Sequence, residues 1–182
     1  LFHLFRIDHF RGFVGYWEVP AWEKTAINGK WVKAPAEDFF KTLRKNFPHI
    51  SIVAEDLGII TPDVKEIMSK FSFPGMKVLL FAFTEDMPSN PYAPHNHVKN
   101  CVVYTGTHDN NTTRGWFKKE LEPEGKKRVA DYIGRELNDK TVHWDIIRLA
   151  MMSVADMAII PMQDILGLGE KELREVNPGI II

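Results

Sequence analysis

Cysteine is almost missing from this chain. Cys101 is the only one among 182 residues, so no internal disulfide can form, which fits a reducing compartment and a cytoplasmic location. Its place in the apolar run CVVY reads as a small buried core residue rather than a nucleophile. Excess charge is missing too. A net charge of -1 supplies no basic field to attract nucleic acid and no polybasic face for a membrane. No uninterrupted apolar run approaches the ~18 residues of a membrane-spanning helix. No Gly-rich phosphate loop follows the first apolar run, which argues against a dinucleotide-binding fold. HExxH, paired cysteines and EF-hand spacing are all absent, so although His108 and Asp109 are chemically able to bind a metal, we expect none.

What is present is aromatic. Five Trp and twelve Phe exceed what an ordinary core needs, and clustered Trp suits flat apolar faces such as sugar rings. The loop Gly15-Tyr16-Trp17-Glu18-Val19-Pro20-Ala21-Trp22, together with Trp31, is a candidate for stacking platforms, with Tyr16 and Trp17 as candidate sugar-binding residues; packing under a long loop explains some of these aromatics equally well.

Five apolar runs rich in β-branched and aromatic residues, at 2–8, 50–55, 76–83, 101–107 and 157–163, recur with helical patterns between them. Their near-continuous hydrophobicity predicts strands covered on both faces, the pattern of a parallel sheet. Helices are predicted over 36–47, 64–71, 126–137, 142–155 and 170–176. Thr61-Pro62-Asp63 supplies an N-cap, a first-turn proline and a dipole-favoured acid for the second of these. Strand–helix alternation with right-handed crossovers gives a doubly wound sheet or part of a (β/α)8 barrel. Five strands fall short of eight, so the expectation is a partial barrel.

Three of the runs end on carboxylates: LFRID at Asp8, ISIVAED at Glu55 and Asp56, and CVVYTGTHD at Asp109. Carboxylates at the C-terminal ends of parallel strands converge on one mouth. Arg6 and Asp8 are two apart in a strand and share a face; a buried Arg would keep the Asp ionised as a nucleophile must be. A structural ion pair is the alternative. Alternation allows only one of Glu55 and Asp56 to face inward, and a carboxyl sharing a cavity with a second carboxylate tends to keep its proton, as a general acid requires. Either residue is equally suited to capping the next segment. Thr105 to Thr112 is dense in hydrogen-bonding groups and suits a hydroxyl-rich ligand. Asp109 there is placed to stabilise positive charge beneath a sugar ring, unless Asn110 and Asn111 simply close an Asx turn.

RIDHFRGF (6–13), YWEVPA (16–21), VAEDLG (53–58), PGMKVL (74–79), YTGTHDN (104–110) and QDILGLG (163–169) occur together and in order. This set resembles the 4-α-glucanotransferases of the amylomaltase or disproportionating-enzyme type, glycoside hydrolase family 77. The resemblance implies the C-terminal part, about strands 4–8, of a (β/α)8 TIM barrel. It also implies a retaining mechanism on malto-oligosaccharide or starch-type α-1,4-glucans, with no metal or organic cofactor. Asp8 matches the nucleophile, Glu55 the general acid/base and Asp109 the transition-state stabiliser. Arg6 and His108 match residues that hold the nucleophile and the donor sugar, and Asn110 is a candidate substrate-binding residue beside them. Transfer to a glucan acceptor rather than to water follows from the resemblance alone, as would a plastid location in a plant. The alternatives are an α-amylase-type hydrolase and a non-catalytic glucan-binding fragment.

Trp22 stands where the family pattern calls for a small residue, and Ile180-Ile181-Ile182 replaces a polar stretch. The chain also opens at Leu1 inside what reads as a strand. The expectation is therefore that residues 1–182 form a partial catalytic domain lacking its N-terminal strands. Such a piece would be inactive alone and prone to aggregate through its unpaired edges.

Overall fold

The computed structural model of the chain describes residues 2–170. The chain divides into two compact units, Leu1–Met76 and Lys77–Ile182. The first begins with β1 (Leu4–Ile7), followed by a 3-10 turn at Phe10–Phe13 and a hairpin of β2 (Gly15–Glu18) and β3 (Lys30–Lys33). Helix α1 (Ala36–Asn46), β4 (Ser51–Ala54) and α2 (Pro62–Lys70) come next. After β5 (Gly75–Val78), the second unit contains β6 (Cys101–Tyr104), α3 (Thr113–Lys119), α4 (Pro123–Ile133), α5 (Val142–Met151), β7 (Met157–Ile159) and α6 (Met162–Ile165).

In the first unit β1 pairs in parallel with β4, from Leu4 opposite Ser51 to Ile7 opposite Ala54. The crossover between them carries α1, as parallel pairing demands. The core beneath is phenylalanine-rich. Phe40 of α1 stacks on Phe10 at 5.3 Å between ring centroids and meets Phe73 edge-on at 4.9 Å. Phe71 and Phe73 stack on each other at 5.6 Å, and Val64 and Met68 of α2 fill the remaining space. Helices α1 and α2 are tied at the surface as well. Lys41, one turn along α1, and Lys70 of α2 both pair with Glu37 and hold its carboxyl down at about 2.

β5, which spans the boundary at Met76, is followed in one sheet by β6 and then β7. β6 and β7 run parallel, Val102 opposite Met157 and Tyr104 opposite Ile159. β6 is buried throughout, and α5 packs against α3 and α6. Phe83 is enclosed by Trp116 of α3 and Tyr132 of α4, at 6.2 and 5.7 Å.

The alternation of strands and helices matches the sequence expectation, with specific differences. The run 157–163 is not one strand: β7 ends at Ile159, and Pro161 stops extended pairing and opens the short α6. The run 76–83 turns into a 3-10 segment at Leu79–Phe81. The helix expected at 126 begins at Pro123 and is closed by Gly134 at φ 81, a left-handed position that suits glycine. Thr61 occupies the N-cap of α2 without a side-chain cap bond. Its side chain instead hydrogen-bonds Asp63, and that bond is the leading cause of a lowered pKa there.

Helix α3 and the β2–β3 hairpin were not expected. The hairpin joins two short aromatic runs across a long connection, a pairing that no local signal marks. Burial on both faces holds for β6 but not for β1 and β7, where Phe5, Met157 and Ile159 are exposed. Of the helix expected at 170–176, only Glu170 is within the described residues; the terminus 180–182 is outside them.

Candidate active site

The parallel register of β1 and β4 decides the first half of the site. With Ile7 opposite Ala54, the next residues are Asp8 and Glu55, side by side at the C-terminal ends of adjacent strands. Strand spacing there is about 4.8 Å. Main-chain bonds lock this pairing: Glu55 N–H donates to the Ile7 carbonyl at 2.9 Å, and Phe10 N–H to the Glu55 carbonyl at 3.2 Å.

The Glu55 carboxylate is aimed by two further N–H donors. His9 N–H reaches Oε2 at 2.7 Å and Leu57 N–H reaches Oε1 at 2.8 Å. His9 adopts left-handed geometry, φ 46 and ψ 53, which a non-glycine residue takes only at a cost of about 1–2 kcal/mol. Asp8 is bound by the Arg6 guanidinium at 2.7 Å, with the Asp8 side chain 74% exposed. Arg6 is therefore beside Asp8 as expected, but it is not buried: its side chain is 31% exposed, and among the described residues β1 pairs only with β4. Arg6 also lies 3.8 Å from the Met76 sulfur.

Glu55 and Asp56 separate as strand alternation requires. Asp56 Oδ1 accepts the Met76 N–H at 2.6 Å. A Cβ at Gly75 would sit 2.4 Å from Asp56 Oδ2, so only glycine lets β5 begin this close to that carboxylate. Asp56 braces the start of β5, while Glu55 takes the His9 and Leu57 N–H groups next to Asp8 in sequence register.

Tyr16 and Trp17 do not make one platform. They are adjacent in β2 and project to opposite faces of the hairpin. Trp17 lies across from Trp31, ring centroids 5.6 Å apart and edge-on, and its indole N–H donates to the Ala26 carbonyl at 2.8 Å. Trp31 also carries the Arg11 guanidinium over its ring at 4.5 Å. A cleft of about 450 Å³ beside it is lined by Trp31, Arg11, Lys33, Thr61 and Asp63 among others. Trp22 is exposed in the hairpin connection, where it lines a second open cleft with Glu18 and Lys30.

The second unit holds the other expected residues. Asp109 follows β6, exposed, with His108 Nε2 at 3.3 Å from its Oδ1. Thr107 organises the turn: its N–H and its hydroxyl both donate to Asn110 Oδ1 at 2.9 Å, and its hydroxyl accepts the Asp109 N–H at 3.3 Å. Asn110 thus closes the turn that presents Asp109. Asp8, Arg6 and Glu55 are brought together in one unit, and His108, Asp109 and Asn110 in the other. Among the described residues, no group of three or more His, Cys, Asp or Glu side chains is arranged to hold a metal ion.

Sequence reasoning passed over Asp164. It is 2% exposed, in α6, and accepts bonds from Thr105 and Thr113 at the two ends of the segment carrying Asp109. The signal was available: an acid inside the motif QDILGLG, where the apolar surroundings give a carboxylate no evident reason to be.

The family profile described as 4-alpha-glucanotransferase, glycoside hydrolase family 77, matches residues 1–179. A 4-alpha-glucanotransferase from Synechocystis sp. is 55% identical over 96% of this chain and 34% of its own length. A chloroplastic/amyloplastic 4-alpha-glucanotransferase from Solanum tuberosum is 50% identical over 93% of the chain and 29% of its own length. Among solved structures, amylomaltase from Streptococcus agalactiae in complex with acarbose superposes with a TM-score of 0.83 at 34% identity, covering 91% of this chain and 33% of that one. The chain spans about a third of the length of the relatives it matches.

Proposed function

Because this chain belongs to the 4-alpha-glucanotransferase family, glycoside hydrolase family 77, we propose that it carries the catalytic carboxylates of an enzyme that moves α-1,4-glucan segments between glucan chains. The observation that carries this reading is the in-register parallel pairing that sets Asp8 beside Glu55 at the ends of β1 and β4. Residues 1–182 are read as about strands 4–8 of a (β/α)8 barrel, a partial catalytic domain within a longer polypeptide. Each parallel pair, with its helical crossover, suits that architecture.

In the proposed reaction an Asp8 oxygen attacks the anomeric carbon of the donor sugar while the glycosidic C–O bond breaks. Glu55 gives its proton to the departing 4-oxygen. Asp109 stabilises the positive charge that develops on the ring, and Arg6, His108 and Asn110 hold Asp8, Asp109 and the donor sugar in place. In the second half Glu55 takes the proton from the 4-hydroxyl of an incoming glucan, whose oxygen displaces Asp8 and restores the original anomeric configuration. Both Glu55 oxygens accept main-chain N–H bonds in this structure, so a proton delivered from one of them requires that bond to loosen as the donor binds. No metal or organic cofactor is needed for any step. The setting is the cytoplasm, or a plastid stroma for a plant chain; no described helix is long and apolar enough to cross a membrane.

Product analysis on the full-length enzyme tests the reading. With maltotriose as sole substrate, glucose and longer chains should form with no net gain of reducing ends. Rising reducing ends would make it a hydrolase instead.

A further inference from the structure

The geometry points to Asp164 as a positioning residue that sets the place of Asp109 by gripping both ends of the loop that presents it; this rests on the reading of Asp109 given above. Seven residues, 106–112, separate β6 from α3 once Thr105 is counted with the strand side. At one end, the Thr105 hydroxyl donates to Asp164 Oδ2 at 2.6 Å. At the other, Thr113 donates twice, its hydroxyl to Oδ2 at 2.9 Å and its N–H to Oδ1 at 2.8 Å. Thr105 and Thr113 are fully buried and Asp164 is 2% exposed. A buried carboxylate is costly unless its oxygens are bonded, and all three donors here come from the flanks of one loop.

The interior of that loop is also braced. Asn110 and Thr107 close the central turn, and the Thr112 hydroxyl caps α3 by accepting the Gly115 N–H at 3.1 Å. Gly106 sits against Leu80, where a Cβ would lie 3.1 Å from Cδ1. His108 and Asp109 are the exposed part of an otherwise fastened segment. Asp164 never faces solvent and cannot touch a glucan; its effect on the reaction is through where Asp109 stands.

The substitution Asp164→Ala removes both acceptor oxygens and with them all three bonds. Asp164→Asn keeps the shape, and its oxygen can still take the Thr113 N–H while the two hydroxyls turn to face the amide. In the full-length enzyme, Asp164→Ala is expected to lower kcat by about 10²-fold, the scale of a 1 Å misplacement of a catalytic group. KM for maltotriose should stay within about twofold, and Asp164→Asn should recover part of the loss.

The deciding measurement is a cycle with Asp109→Asn, with kcat expressed per folded enzyme. If Asp164 acts through Asp109, adding Asp164→Ala or Asp164→Asn to Asp109→Asn costs no further activity, since residues acting as a unit are not additive. If the losses multiply, Asp164 is only a structural residue and the inference fails. The Asn variant carries the same cycle should the Ala variant not fold. A fully active Asp109→Asn enzyme would overturn the functional reading itself, a result separate from additivity.

Discussion

The main-chain N–H of His9, the residue after the proposed nucleophile, donates to Glu55 Oε2 at 2.7 Å. One peptide unit thereby links the two carboxylates of the proposed double displacement. His9 itself is held in left-handed geometry. His9→Gly should keep that geometry without its steric cost and leave transfer within about threefold of the parent, since glycine enters the left-handed region freely. His9→Pro removes the N–H and holds φ near -65°, and should lower kcat by about 10²-fold or more. Equal activity in the two variants, measured by maltotriose disproportionation, would show that this bond does not orient Glu55.

Asp8→Ala removes the proposed nucleophile while leaving Glu55 and its two N–H donors in place. Transfer in the full-length enzyme should fall by about 10⁴-fold or more, the scale lost with a covalent nucleophile. Residual transfer above about a tenth of the parent rate would exclude Asp8 from that role. A crystal structure of the enzyme should find the Asp8 and Glu55 carboxyls about 5–5.5 Å apart, the separation retention requires.

Phe40 is completely buried and touches Phe10, Phe13, Phe71 and Phe73. Phe40→Ala should cost about 3–5 kcal/mol of stability, with the loss set by how far the neighbouring rings relax into the void. Denaturant unfolding of the full-length enzyme checks it. A loss under about 1 kcal/mol would mean that the rings close the gap.

His97 gives the second unit a pH dependence. Its Nε2 is 2.9 Å from the Tyr92 carbonyl, to which it must donate, so Nδ1 accepts from the Ser153 hydroxyl at 2.7 Å. Burial first, with the nearby charges of Lys77 and His95 adding to it, pushes the imidazole below the ordinary histidine value. The unfolded chain therefore takes up the proton first. Stability is full above about pH 6.5 and is lost as pH falls from there through the depressed folded value. The unfolding midpoint should drop between pH 7.5 and 5.5, and His97→Gln should flatten that drop. An unchanged slope in the variant would assign the acid sensitivity elsewhere.

How much could be read in advance differs from residue to residue. The strand ends at Asp8 and Glu55 were legible because an apolar run followed at once by an acid is a local pattern. Arg6 beside Asp8 followed from the two-residue repeat of a strand. The exposure of Arg6 was not legible, since it depends on what lies on the far side of β1. Tyr16 and Trp17 were legible as exposed aromatics of a long loop, but not the faces they occupy. Pairing with β3 sends them to opposite faces and gives Trp17 a packing partner in Trp31. The β2–β3 ribbon, the early end of β7 and the short α3 were missed because their boundaries are set by partners distant in sequence.

The order of residues alone determined the family, the alternation of strands and helices, and which carboxylates end the strands, because each of these is written in adjacent letters or short spacings. That Glu55 takes the His9 N–H while Asp56 takes the Met76 N–H, and that one buried acid, Asp164, joins both ends of the Asp109 loop, were decided only by the tertiary structure. Those choices rest on hydrogen bonds between residues 20 to 59 positions apart. Such bonds have directions and partners only once the strands are paired and the intervening helices are packed.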